Sequence, residues 1–142
     1  MNTLIAILLF SIFAILSLIH VYWAFGGSWA MEAVVPTRAQ DQQLTFRPPF
    51  IATISVAIGL FMMGWISLAQ ADLWPLPFDW NWAHWGLIGI ASIFALRAIG
   101  EFKYVGLFKR VKGTSFAKND HRIYTPLCLL ISSLSILLLW IS

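Results

Sequence analysis

The chain has 142 residues, of which 60% are apolar and only 11% are charged. A typical soluble domain is about 25% charged, so this composition excludes an ordinary water-soluble protein and favours lipid as the solvent. The formal net charge is only +3, and the basic residues cluster in one loop between apolar segments. That pattern does not indicate nucleic-acid binding and favours anionic lipid headgroups as the partner.

Four apolar segments are each long enough to cross a membrane, which takes about 20 helical residues. In chain order, they are predicted as helices at approximately residues 4–24, 49–71, 80–102 and 126–142. The sequence therefore predicts an all-α integral membrane protein. We expect a single transmembrane domain, a four-transmembrane-helix bundle with short amphipathic interfacial segments.

Several residues explain where these helices begin. Pro49 suits a first helical position, where a missing N–H is not needed, and Asp79 can cap the third helix. Thr125 and Pro126 predict the N-cap and first residue of the fourth helix. Residues 73–77 contain two prolines and predict a short turn. We expect the first segment to be retained, because no basic residue precedes it as in a signal peptide.

The basic residues predict the orientation of the bundle. The loop after the first helix and the loop after the third helix lie on the same side of the membrane. Together they hold eight Lys and Arg residues, whereas the loop on the opposite side holds none. The positive-inside rule then puts both loops in the cytoplasm and both termini outside. For a bacterial host, the expected location is the inner (plasma) membrane. The eight residues are Arg38, Arg47, Lys103, Lys109, Arg110, Lys112, Lys118 and Arg122.

Three polar residues in or near the spans form the candidate catalytic site. Arg97 and Glu101 are four residues apart, so on a continuous helix they would share a face. His20 is predicted at a similar depth, and a His near a carboxylate can exchange protons near neutral pH. We expect the first and third helices to pack together there, with His20 within reach of the pair. A purely structural ion pair is an equally open interpretation of Arg97 and Glu101. For His20, a satisfied packing residue is the more common role of a lone membrane histidine.

Aromatic residues lie at the end of the first helix and just after it. Their simplest interpretation is an interfacial aromatic belt. Tyr22, Trp23 and Trp29 surround Gly26 and Gly27. Such rings collect where the hydrocarbon meets the headgroups. A wall of a lipid-binding or substrate-binding site is the alternative.

The loop after the third helix mixes aromatic and basic residues. Tyr104 precedes Lys109, Arg110 and Lys112, with apolar residues at a roughly helical period. An interfacial amphipathic segment that anchors the loop is the favoured interpretation. The alternative is a lipid-binding or substrate-binding site for an anionic headgroup.

No metal or cofactor site is predicted. The three histidines have no ligand spacing, and the chain lacks a phosphate loop or nucleotide motif. Cys128 is the sole cysteine and is interpreted as a small buried hydrophobe. Two pairs of small residues predict close helix contacts: Ser55 with Gly59, and Ala91 with Ala95.

Several of these residues also resemble a known family over nearly the whole chain. The sequence is similar to a bacterial family of small multi-pass membrane proteins catalogued as domain of unknown function 3995. This resemblance implies a four-helix membrane fold but no activity. It is carried by His20-x-Tyr-Trp-x-x-Gly-Gly-x-Trp29 with Pro36, by Arg97-x-x-Gly100-Glu101-Phe, by Tyr104-x-Gly106-x-Phe108-Lys109-Arg110, by Thr114-x-Phe116-Ala117-x-x-Asp120 and by Tyr124-x-Pro126.

Three functions remain open at this point, and the sequence does not decide whether the protein is an enzyme. The first is a membrane-embedded site on the cytoplasmic side that binds or acts on a lipid-like amphiphile. The second is a structural or assembly protein without a small-molecule site. The third is a protomer of an oligomeric small-solute transporter, which would require a homo-oligomer because four helices rarely enclose a path.

Overall fold

The computed structural model describes residues 1–29, 49–74, 80–100 and 118–142, with the backbone alone for residue 80. Its elements are α1 (Asn2–Ala24), α2 (Phe50–Gln70), α3 (Trp80–Ile99), a π-helical turn (Asp120–Tyr124) and α4 (Thr125–Ile141). Four helical segments are long and apolar enough to cross a membrane, the fourth being the π-helical turn together with α4, Asp120–Ile141. No strand occurs in these described segments, and the predicted all-α four-span fold is confirmed.

Consecutive helices run antiparallel, so both termini lie at the same end of the bundle. This Ser142 end contains the start of α1 and the end of α2, where the Gln70 side chain donates to the Ser142 hydroxyl. The opposite, Arg97 end contains the ends of α1 and α3 and the starts of α2 and α4. There, the Phe25 and Phe50 rings meet edge to face at 5.8 Å.

The helices pack mainly as two pairs, α1 with α2 and α3 with α4. Contacts of α2 with α3 and of α1 with α4 close the bundle, which leaves α1 and α3 on a diagonal. These two meet through the rings of Phe13 and Phe94, 5.6 Å apart. The prediction that α1 and α3 pack as neighbours at the Arg97 end is therefore wrong, because equal depth does not make two helices adjacent.

Small and polar side chains lie inside the bundle, whereas many large apolar ones face outward. Ser67, Ser135 and Thr125 are almost completely buried. Leu4, Leu18 and many other large apolar residues are exposed to the surroundings, where lipid would cover them. Apolar side chains fill the remaining interior: Leu9, Phe13, Leu87, Ile131 and Leu138.

Helices α1 and α2 approach each other closely at Gly64. A methyl group there would lie 3.1 Å from Phe10 Cδ2 and 3.2 Å from Phe13 Cβ. The predicted contact at Ser55 and Gly59 is wrong, since Ser55 is exposed and no atom lies within 4 Å of the Gly59 Cβ position. Both residues lie on the face of α2 turned away from α1.

Glycine ends α3 earlier than predicted. Gly100 has a φ of +84° and donates its N–H to the Leu96 carbonyl, the left-handed cap that terminates many helices. The helix therefore ends at Ile99 and not near residue 102. The expectation that Arg97 and Glu101 share a helix face assumed a helix that continues to residue 102, whereas the described helix ends at Ile99. Glu101 itself lies outside the described residues.

The start of α4 also differs from the prediction. Thr125 does not cap the helix, because helical backbone extends back to Lys118. Pro126 has no N–H to donate and crowds the carbonyl one turn before it. A wider turn precedes it, in which the Thr125 N–H donates to the Asp120 carbonyl five residues back. This π-helical turn lets the chain pass through Pro126 without starting a new helix.

Candidate functional site

The described site is an ion pair between Arg97 at the end of α3 and Asp120 in the π-helical turn. Both terminal nitrogens of the guanidinium, Nη1 and Nη2, donate to the same carboxylate oxygen, Oδ1, at 3.3 Å each. The Asp120 side chain is fully buried, whereas 35% of the Arg97 side chain is exposed. The pair therefore has one desolvated partner and one that reaches the surface of the bundle.

The π-helical turn positions the carboxylate. Asp120 has its backbone carbonyl bonded to the Thr125 N–H, and its Oδ2 accepts a long 3.4 Å hydrogen bond from the Thr125 hydroxyl. An isolated buried carboxylate is costly, so Arg97 and Thr125 contribute to stabilising it in an apolar bundle. Asp120 was not among the predicted site residues, although it and Arg97 both occur in the motifs that carried the family resemblance.

His20 makes its hydrogen bond within its own helix. Its Nδ1 lies 2.8 Å from the Leu16 carbonyl, and its ring meets Trp23 edge to face at 5.0 Å. Within the described part of the chain, it has no hydrogen bond to Arg97 or Asp120. The structure thus gives His20 a local packing role and leaves its predicted link to Glu101 outside the described residues.

The predicted aromatic residues form a hook after α1. Gly26, with a φ of +91°, and Gly27 donate their N–H groups back to the carbonyls of Trp23 and Tyr22, the pattern of a Schellman cap. The Trp23 indole donates to the Trp29 carbonyl at 2.8 Å, and the Tyr22 ring covers Gly27. The two glycines thus have a structural explanation, and the hook leaves Tyr22 and Trp29 exposed.

The predicted residues of the basic loop lie outside the described residues. They are Tyr104, Lys109, Arg110 and Lys112. Glu101, which was predicted at the end of the third helix, also lies outside the described residues. Among the residues that are described, no group of three or more His, Cys, Asp or Glu side chains could hold a metal ion.

Further cations lie near the pair, on the opposite face of the π-helical turn. Lys118, His121 and Arg122 are exposed, whereas Asp120 between them points inward. Not counting His121, the described residues at the end of α3 and around this turn carry three cations against one carboxylate. The local field therefore favours an anion.

Apolar side chains lie beside Arg97 on the outer surface of α3. Ile93, one turn before Arg97, is 53% exposed, and Leu96 is 67% exposed. A cationic group at the end of a helix and apolar surface along it together form an amphipathic face. Such a face can contact both parts of an amphiphile.

The Ser142 end holds a second buried polar group. Gln70 is 1% exposed, and its amide nitrogen donates to the Ser142 hydroxyl at 2.8 Å. That hydroxyl donates in turn to the Leu138 carbonyl. The Gln70 amide oxygen is buried and has no hydrogen-bond partner among the described residues. It lies at the other end of the bundle from Arg97 and takes no part in that site.

Comparison with known proteins identifies one family. The model of the family described as "Protein of unknown function (DUF3995)" matches residues 13–135. No curated protein matches the chain, and no solved structure matches it. The matched range covers the aromatic hook, Arg97, Asp120 and most of α4.

Proposed function

Since this chain belongs to the DUF3995 family, whose description gives no activity, we propose a function from the site: the Arg97 end binds a lipid-like amphiphile with an acidic headgroup. The bound molecule would place its headgroup at Arg97 and its tail along the outer surface of α3. This proposal assigns a binding role and no reaction.

The observation that carries the proposal is the unequal burial of the two partners, Arg97 and Asp120. Ionisable groups within membrane spans are costly and are functional hypotheses by default. A pair that served packing alone could be replaced by apolar residues of similar volume with little loss. Here, the fully buried Asp120 holds a guanidinium that still reaches the surface of the bundle, where it can donate to a ligand.

The neighbouring apolar surface supports an amphiphile as the ligand rather than a free ion. Ile93 and Leu96 are exposed on α3 and would contact an acyl or isoprenoid tail. Each buried CH₂ contributes about 0.8 kcal/mol, although a tail in the bilayer is already shielded from water. The apolar surface of α3 therefore orients the tail of the ligand, and the contact with the headgroup supplies most of the selectivity.

Lipid retention after purification tests this proposal. We expect native mass spectrometry of the wild-type protein to detect an acidic lipid, and Arg97→Gln to lose it. Arg122→Gln is the matched control for the loss of one positive charge, because Arg122 is an exposed cation at the same end on the far side of the turn. It weakens the general attraction of this end for anions as much as Arg97→Gln does, so a lipid lost only from Arg97→Gln reports the direct contact. Equal retention by a folded Arg97→Gln variant would contradict the proposal.

The basic loop is proposed as a second contact with anionic headgroups. Each Lys or Arg near an anionic membrane surface contributes about 1 kcal/mol. Replacing Lys109, Arg110 and Lys112 with Gln should reduce retention of acidic lipid in a salt-dependent way. Unchanged retention across a range of salt would remove the loop from the site.

The orientation proposed with this site puts the Arg97 end in the cytoplasm and both termini outside the inner (plasma) membrane. Its support is the positive-inside pattern of the loops. Reporter fusions after Ser142 test it directly. A cytoplasmic reporter signal would move the proposed site to the outer leaflet.

A structural or assembly role is the second candidate, favoured by the packed apolar interior. Leu9, Phe13, Leu87 and Ile131 are fully buried, so the centre of the bundle is filled by side chains. Such a protein would keep its fold and oligomeric state when Arg97 loses its charge, with no ligand lost. The lipid-retention measurement distinguishes these two candidates.

A further inference from the structure

The ion pair with Asp120 uses only one edge of the Arg97 guanidinium. A guanidinium has five N–H donors arranged in a planar fork. Asp120 Oδ1 lies between Nη1 and Nη2 and receives one N–H from each, so it occupies the terminal edge. The lateral edge, formed by Nε–H and the outer N–H of the neighbouring Nη, has no partner among the described residues.

We infer that this lateral edge binds two oxygens of a single oxyanion headgroup, a phosphate or a carboxylate. The inference rests on the proposed function and deepens it, because it specifies side-on recognition in addition to charge attraction. Two N–H groups on one side of a guanidinium match the spacing of two oxygens in a phosphate or a carboxylate. The ammonium group of a lysine acts as a point charge and does not provide this match. Asp120 is a positioning residue in this arrangement, since it fixes the plane of the guanidinium and the direction of the free edge.

The burial of the pair supports this assignment. Thr125 and the π-helical turn hold the carboxylate, and none of it is exposed, so Asp120 cannot turn to neutralise the lateral edge as well. The exposed 35% of the Arg97 side chain provides access for a ligand. Lys118 and Arg122 would attract an anion to this end from the opposite face of the turn, without competing for the fork.

The decisive comparison is between arginine and lysine at position 97. Wild type, Arg97→Lys and Arg97→Gln are reconstituted in neutral nanodiscs and titrated with short-chain phosphatidic acid, with a fatty acid of matched length, and with inorganic phosphate. We expect the wild type to bind an acidic amphiphile about tenfold more tightly than Arg97→Lys, equivalent to about 1.4 kcal/mol. Asp120→Asn should weaken binding in the same direction, because the guanidinium loses its charged orienting partner.

The outcomes separate the inference from the proposed function. Equal binding by wild type and Arg97→Lys, with loss in Arg97→Gln, would overturn side-on recognition while the amphiphile site stands. No effect of either substitution, with both variants folded, would overturn both. Inorganic phosphate that binds as tightly as phosphatidic acid would keep the oxyanion site but make a free anion its ligand. A stronger response to the fatty acid would identify the oxyanion as a carboxylate.

If Arg97→Lys does not fold, competition in the wild type still tests the inference. Acetate, an oxyanion with the same charge as chloride, should displace the short-chain lipid. Chloride at the same ionic strength should not. Displacement by chloride to the same extent would show simple screening and would overturn the side-on contact.

Discussion

The hydroxyl of Ser17 on α1 donates to the backbone carbonyl of Ala57 on α2 at 2.8 Å. A matching contact joins the other helix pair, where the Ser132 hydroxyl donates to the Ala91 carbonyl at 2.9 Å. Five other serine hydroxyls donate to a carbonyl four residues back in their own helix: Ser11, Ser55, Ser67, Ser92 and Ser135. The two contacts therefore add a polar connection between the two helices of each pair.

Replacing either interhelical serine by alanine should weaken the bundle modestly. Hydrogen bonds between membrane helices contribute about 0.6 kcal/mol on average, so Ser17→Ala and Ser132→Ala should each lose about 0.5–1 kcal/mol of unfolding free energy. Ser11→Ala and Ser92→Ala are matched controls, because both residues are exposed and bond only within their own helix. Reversible unfolding in mixed micelles measures the difference, and equal losses in all four variants would refute the interhelical role.

The ion pair should respond asymmetrically to removal of its two partners. Arg97→Leu leaves a fully buried carboxylate without its cation, which costs about 3 kcal/mol in comparable pairs. Asp120→Leu should cost less, about 1 kcal/mol, because the partly exposed Arg97 can extend toward the headgroups. The double variant should be more stable than the sum of the two losses predicts. The unfolding free energies of the wild type, the two single variants and the double variant complete a double-mutant cycle. Strictly additive losses would mean that Arg97 and Asp120 are not energetically coupled.

Sequence reasoning located the spans well but not the partner of Arg97. Span length and the absence of charge predict the four helices directly, since lipid requires every backbone group to be bonded within a helix. The link from Arg97 to Glu101 assumed a continuous helix, which the left-handed cap at Gly100 ends. Asp120 is 23 residues away along the chain, beyond a loop, so local spacing could not identify it. The available signal was that Arg97 and Asp120 each lie in one of the motifs that carry the family resemblance.

The buried faces were also hard to predict, for a related reason. Apolar residues surround the whole of α1, so periodicity of hydrophobic residues does not distinguish the lipid side from the core. The interior is instead marked by small and hydroxyl-bearing residues such as Ser67 and Ser135. Of the candidate small-residue contacts, Ala91 lies in an interface and Ser55 does not, because spacing alone cannot tell which face of a helix has a partner.

The aromatic hook predicts a specific effect at Gly27. A Cβ at this position would overlap ring carbons of Tyr22, so Gly27→Ala should move the ring away at a cost of about 1 kcal/mol. In a Tyr22→Ala background, the same substitution should cost little. Unfolding free energies of the four variants measure the coupling. A full penalty for Gly27→Ala without the Tyr22 ring would show that backbone strain, and not the ring, is responsible.

The interface between α1 and α2 predicts a contrast among glycines. Gly64→Ala brings a methyl group against Phe10 and Phe13, including backbone-proximal atoms that cannot turn away, so it should cost about 1–3 kcal/mol. Gly59→Ala and Gly89→Ala have open space at Cβ, and each should gain up to about 1 kcal/mol from helix propensity. Thermal unfolding in one detergent compares the three. A loss at Gly59 or Gly89 equal to that at Gly64 would contradict the contact.

Because of the π-helical turn, the direction of the Asp120 side chain depends on how many residues the turn contains as well as on which residues they are. A π-turn contains one more residue than an α-turn, and one residue corresponds to about 100° of rotation around a helix. Removing a single residue between Asp120 and Thr125 would restore an ordinary α-turn while changing none of the side chains of the pair. The carboxylate would then point about a quarter-turn away from Arg97. Over evolutionary time, a one-codon insertion or deletion at this place could connect or separate the two charges in one step, which no substitution elsewhere in the helix could do.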